Sequence, residues 1–201
     1  LMFPLISGVA ELRLAKSVLN EAKQELDAAK VPFDPRMPVG VMIELPSAVF
    51  TADALAREAD FFSIGTNDLI QYSLGVDRGN RHVAHLHQSL HPGIVRAIKQ
   101  VVDMAHKAGI SVCVCGEMAS DPYCPPVLLG MDVDELSLAP QSIPAIKHLI
   151  RRSHAQASRE LLGHALSAPT VRSINNMVRQ AVYNSFPDDV SFFVSQLGTD
   201  G

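Results

Sequence analysis

The chain has 201 residues, of which 47% are hydrophobic and 19% charged, the composition of a globular domain with a sizeable core and not of a disordered or collagenous chain. Seventeen Lys and Arg against 21 Asp and Glu give a net charge of -4, so the chain lacks the basic footprint of a nucleic-acid binder. No apolar run approaches the roughly 18 residues that a membrane helix needs, which argues against membrane insertion, and three cysteines without a secretory signal suit a reducing, cytoplasmic setting.

Residues 1–6, Leu-Met-Phe-Pro-Leu-Ile, read as a strand with no polar lead-in. Chain termini usually lie at the surface, so the expectation is a piece of a longer protein. Glu11–Lys30 form a long helix with Leu12, Ala15, Leu19, Ala22 and Leu26 on one face, and Val31–Pro35 break it. Val39–Leu45 is a strand, Pro46–Glu58 a helix, Phe61–Gly65 a strand, and a short helix starts near Leu69. A polar loop runs through Arg81–His91, and Pro92 opens a helix that Gly109 closes. Ser111–Glu117 is a strand, Asp121–Leu129 a short helix ending at Gly130, and Glu135–Ala139 the last strand. Ser142 caps a helix over Ile143–Arg152, and helical stretches near 154–165 and 170–185 lead to a polar tail.

The strands at 39–43, 61–64 and 111–115 are apolar on both faces. Continuous apolarity between helices means a parallel sheet covered by helices, in either a doubly wound sheet or a barrel. A complete eight-stranded barrel takes about 250 residues. Five strands are counted here, so on the barrel reading, an α/β fold of the (β/α)8 TIM-barrel type, about five of the eight strands are present and the first few are missing; the doubly wound sheet remains the alternative.

Reacting residues in such folds gather at the C-terminal ends of strands. Glu44 emerges at one such end; by itself it is equally a solvated strand-end carboxylate. Gly65-Thr66-Asn67-Asp68 forms a glycine-led strand-to-helix turn suited to a phosphate, with Asp68 calling for an intervening cation. Asp68 and Glu44 together offer the two hard oxygen ligands that Mg²⁺ commonly takes from protein, although Asn67 or Asp68 also suits a simple helix cap. Arg78, in a polar stretch ten residues on, is suited to clamp a phosphate or carboxylate. Alternation points Cys113, Cys115 and Glu117 one way, with Cys113 deeper as a small hydrophobe and Cys115 at the strand end as a proton donor or nucleophile. His82, His85, His87 and His91 lack metal-ligand spacing, and Cys124 sits in a proline-rich loop.

Asp60–Arg78, reading DFFSIGTNDLIQYSLGVDR, resembles the signature of phosphoenolpyruvate-utilising enzymes, as do Met2–Ile6, Val39–Pro46, Cys115–Ala119 and Ser142–Pro144. Within that family, Val76–Asn80 and the Cys-Gly-Glu-Met-Ala run look most like Enzyme I of the bacterial phosphotransferase system. The resemblance extends to about residue 185. It implies a (β/α)8 barrel that binds phosphoenolpyruvate with Mg²⁺, passes the phosphoryl group to a histidine on a separate domain and then to a small carrier protein, and releases pyruvate. Carried over by position, it implies Glu44 and Asp68 as Mg²⁺ ligands, Asn67, Asp68 and Arg78 as substrate-binding residues, and Cys115 as the acid that protonates the enolate carbon. Residues 1–201 would then be the C-terminal portion of the barrel, 166–201 its terminal helix and tail, with the phosphohistidine domain and early strands absent. On that reading the isolated chain does not turn over, and a homodimer is expected. A dikinase or synthase of the same family, or a dimerisation module without activity, are the competing readings.

Overall fold

The computed structural model describes residues 1–186. Five parallel strands, β1 (Met2–Phe3), β2 (Gly40–Ile43), β3 (Phe61–Gly65), β4 (Ser111–Cys115) and β5 (Glu135–Ser137), lie side by side in chain order. A doubly wound sheet reverses its strand order at a switch point. This sheet never does, so its winding is that of a (β/α) barrel wall.

One face of the sheet is dry. Val41, Ile43, Phe62, Ile64, Val112 and Val114 alternate onto it and are fully buried. They pack under α2 (Pro46–Phe50), α3 (Ala52–Ala56), α4 (Thr66–Leu74) and α5 (Pro92–Ala108). Helix α5 is the principal cover, with Ile94, Val95, Ile98, Val101, Val102 and Ala105 buried, and Gly109 closes it at φ +80° as the sequence indicates. The opposite face carries Met42, Glu44, Ser63, Gly65, Cys113 and Cys115, and its chemistry is polar. On that face a Cβ at Gly40 would overlap the ring of Phe61, so glycine lets the two strands keep their spacing.

Helix α1 (Val9–Ala28) spans the expected stretch, but of its apolar face only Leu12 is buried, because α1 lies beside the edge strand β1 and has little to pack against among the described residues. The helix expected over Pro46–Glu58 is broken at Thr51, whose backbone leaves helical geometry at φ -112° and ψ 18° while its N–H and hydroxyl both donate to the Ser47 carbonyl, at 3.1 and 2.9 Å. Helix α4 begins at Thr66, earlier than its apolar pattern suggests. After β4 a short α6 (Glu117–Ser120) precedes α7 (Pro125–Gly130). The chain ends in α8 (Ile143–Arg152), α9 (Ala155–Ser167) and α10 (Val171–Ser185), and the polar tail lies outside the described residues. No helix among the described residues is long and apolar enough to cross a membrane.

Candidate functional site

The expected site residues converge at the C-terminal ends of β2, β3 and β4. Glu44 follows β2 directly and is only 3% exposed. Its Oε1 accepts the backbone N–H of Leu5 at 2.7 Å. Asp68, in the first turn of α4, reaches the same place and shares a hydrogen bond with Glu44. Burial pushes the Glu44 carboxyl above the ordinary carboxylate value, the Leu5 N–H partly opposes this, and the charge and hydrogen bond of Asp68 raise it further. Two acidic side chains gathered here make a hard-oxygen pair that fits Mg²⁺, which commonly takes one or two carboxylates and fills its remaining positions with water and phosphate oxygens. Arg78 approaches from the loop after α4, its Nη2 3.9 Å from Asp68 Oδ1, with about half of its side chain still exposed.

Glycine makes this crowding possible. A Cβ on Gly65 would lie 2.8 Å from Glu44 Oε2 and 3.0 Å from Met42 Sδ, so any larger residue would displace the carboxylate. Gly116 has φ +96° and is pressed against Thr66 and Asn67, a place no other residue takes without strain. Thr66 Oγ1 donates to the Cys115 carbonyl at 2.7 Å, and the Glu117 N–H donates to Asn67 Oδ1 at 3.0 Å. These two bonds stitch the turn after β4 onto the start of α4. Asn67 Oδ1 is thereby occupied, which leaves the Asn67 amide NH2 to donate elsewhere.

Cys115 ends β4 with its thiol held on two sides: it donates to the Ile64 carbonyl at 3.4 Å and accepts from Ser63 Oγ at 3.5 Å. Cys115 and Asn67 line one open cleft with Ser89, Glu117, Asp121 and Ser137. Glu44 and Cys115 stand on strands two apart, roughly 10 Å of separation at the usual strand spacing, wide enough for a small phosphorylated molecule between them. Cys113 faces the same side as Cys115, as alternation predicts, but it is partly exposed where a buried hydrophobe was expected, while burial still pushes its thiol upward. Leu5, Ser63 and Thr66 were not visible as site residues in the sequence, because each acts through a backbone group or a strand neighbour. His87, one of the four loop histidines, contacts the Asn67 carbonyl through Nε2 at 3.1 Å. An apolar cavity lies elsewhere, between α7, β5 and α8, and carries none of these groups.

The family model described as "PEP-utilising enzyme, PEP-binding domain" matches residues 1–155. A phosphoenolpyruvate-protein phosphotransferase from Haemophilus influenzae is 45% identical over 89% of this chain and 31% of its own length. Those from Buchnera aphidicola (subsp. Acyrthosiphon pisum) and Listeria monocytogenes are each 41% identical over 90% of this chain and 32% of theirs. The chain therefore spans about a third of the length of the curated relatives it matches. Among solved structures, a citrate lyase from Burkholderia xenovorans aligns with TM-score 0.56 at 16% identity, covering 91% of this chain and 63% of that one, a likeness of fold alone.

Proposed function

The chain belongs to the phosphoenolpyruvate-utilising enzymes, and from that premise we propose that it is the substrate-binding part of a phosphoenolpyruvate-protein phosphotransferase. The observation that carries the reading is the meeting of Glu44, Asp68 and Arg78 past the C-terminal ends of β2 and β3, on the same end of the sheet where β4 ends at Cys115.

In this reading Glu44 and Asp68 hold Mg²⁺, which when bound neutralises and orients the phosphate oxygens. Arg78 faces the phosphate and stabilises charge that develops as the P–O bond breaks. The Asn67 amide donates to the substrate and fixes its orientation. Loss of the phosphoryl group leaves the enolate of pyruvate, and the Cys115 thiol gives its proton to the enolate carbon; the thiolate left behind recovers a proton from water. The acceptor is a histidine of a separate domain, from which the group passes to a small carrier protein. The relatives' name and the Val76–Asn80 pattern favour this acceptor over the ATP-coupled dikinase and synthase alternatives.

Calorimetric titration of phosphoenolpyruvate, with and without Mg²⁺, tests the site. Mg²⁺-dependent binding that is lost in Asp68→Asn is the expected result. Silence in the same titration of the longer natural protein would sink the reading.

A further inference from the structure

A second polar cavity, about 240 Å³, lies beside the cleft, between the loop around His87–Ser89, the turn at Asp121–Tyr123 and the face of α10 that carries Asn175 and Arg179. Its walls bear opposite charges. Asp121 is half-buried; burial pushes its carboxyl up, while hydrogen bonds with the Tyr123 N–H and the Cys124 thiol and, beyond them, the charge of Arg179 pull it back. Asp121 Oδ1 accepts the Tyr123 N–H at 2.9 Å, which fixes the carboxylate at the cavity wall. The Arg179 guanidinium stacks over the Tyr123 ring, 5.4 Å from its centroid, and among the described residues it does not close into an ion pair with Asp121. An exposed cation and a half-buried carboxylate thus face one small space without closing into an ion pair.

That pairing selects the ligand by elimination. A simple anion would meet Arg179 but also the repulsion of Asp121; a simple cation would meet the reverse. A neutral molecule would engage neither charge. Only a ligand with both signs a few ångströms apart satisfies both walls. We propose that this cavity binds a small α-amino acid as its zwitterion, carboxylate toward Arg179 and Asn175, ammonium toward Asp121.

Helix α10 lies beyond residues 1–155, so half of this cavity is built outside the matched phosphoenolpyruvate-binding domain. Its other half touches the cleft: Ser89 and Asp121 line both spaces, and His87 contacts Asn67. Occupancy would stiffen the turn that follows Cys115.

The test is calorimetric titration of the 201-residue chain with L-alanine and L-aspartate, with acetate and methylamine as half-ligands. Saturable amino-acid binding is expected with a dissociation constant about millimolar, the scale that six or so non-hydrogen atoms support, and neither half-ligand should reproduce it. Arg179→Gln and Asp121→Asn should each weaken L-alanine by at least about tenfold, the usual worth of one charged contact. Asn at 121 keeps an acceptor for the Tyr123 N–H, and Arg179 is exposed on α10, so both variants retain the fold. Acetate or methylamine binding as well as L-alanine, unchanged binding in both variants, or no amino-acid binding up to about 50 mM, some fiftyfold above the expected constant, would each overturn the proposal. Phosphoenolpyruvate binding in the cleft is read separately, so failure here leaves the cleft's reading intact.

Discussion

The backbone N–H of Leu5 donates to Glu44 Oε1 across 2.7 Å, from a residue held at φ +53°. The left-handed turn at Leu5 ends β1 after Phe3 and aims one backbone donor at the carboxylate that β2 delivers. A non-glycine residue in this region is uncommon and costs energy, so the turn is held by its surroundings.

Glu44 itself opposes the fold when it is charged. Its carboxyl lies above the ordinary value because of burial, so folding favours the protonated form. At pH below the unfolded-state value both states are protonated and nothing is lost; as pH rises through the folded-state value, the ionised group destabilises the fold. Glu44→Gln keeps an acceptor for the Leu5 N–H and removes that charge. Thermal melts in chelator should show the variant more stable than the parent at pH 7, the gap closing toward pH 4. Added Mg²⁺ should raise the melting temperature of the parent and leave the variant unmoved.

Gly65→Ala tests whether the carboxylate is placed by the absence of a side chain. The added methyl would sit 2.8 Å from Glu44 Oε2 and 3.0 Å from Met42 Sδ, both ends of movable side chains. The fold therefore survives with a cost of about 1–2 kcal/mol, within the range for mild overpacking. Mg²⁺-dependent phosphoenolpyruvate binding should fall by at least about tenfold, since a shifted Glu44 no longer shares its ion with Asp68. Unaltered binding would mean that Glu44 is no ligand.

Much of this was legible in the sequence, and the failures have physical causes. The apolar runs at 39–43, 61–64 and 111–115 placed β2, β3 and β4 because strands covered by helices tolerate no polar side chain on the covered face. Glu44, Asn67, Asp68 and Cys115 stood out because polar residues at or just past strand ends have no packing reason to be there, and Arg78 because it lies in a polar stretch after α4. Thr51 is different: its backbone turns out of helical geometry, at φ -112°, and splits a helix whose apolar spacing is continuous. Leu5 is different again, since what it supplies is an N–H, which every residue carries except proline. The exposure of Cys113 depends on what lies above the open face of the sheet, and alternation along a strand says nothing about that.

Thiol chemistry separates the three cysteines. Cys124 is fully buried, and burial together with Asp121 raises its thiol well above the ordinary value. Cys113 is raised by burial, with the charges of Cys115 and Glu135 adding to it. Cys115 ends its strand in the open cleft. Iodoacetamide at pH 7.5, read by peptide mass spectrometry, should label Cys115 first, Cys113 more slowly and Cys124 only after unfolding. Phosphoenolpyruvate with Mg²⁺ should slow the Cys115 reaction alone. In a full-length phosphoenolpyruvate-protein phosphotransferase that carries this segment, Cys115→Ala should lower pyruvate release by at least about 100-fold, the scale of a lost general acid, with substrate binding retained. The 201-residue chain alone should release no pyruvate when mixed with carrier protein.

Gly130 carries the packing of the C-terminal helices, away from any chemistry. It ends α7 against α9, and a Cβ there would overlap the Ser158 carbonyl and press on Leu162. The obstructing atoms are backbone, so relief requires α9 to move, and α9 also packs on α5 and α10. Gly130→Ala should therefore cost roughly 2–3 kcal/mol, the upper part of the overpacking range. For a domain of this size that lowers the melting temperature by about 4–12 °C. Because Glu44, Asp68 and Arg78 sit at the far strands from α9, phosphoenolpyruvate affinity below the transition should be unchanged. The cavity bordered by Asn175 and Arg179 belongs to the shifted helices, and its amino-acid binding should weaken with the melting temperature. A variant that melts like the parent would show that α7 and α9 are less tightly seated than the close approach at Gly130 requires.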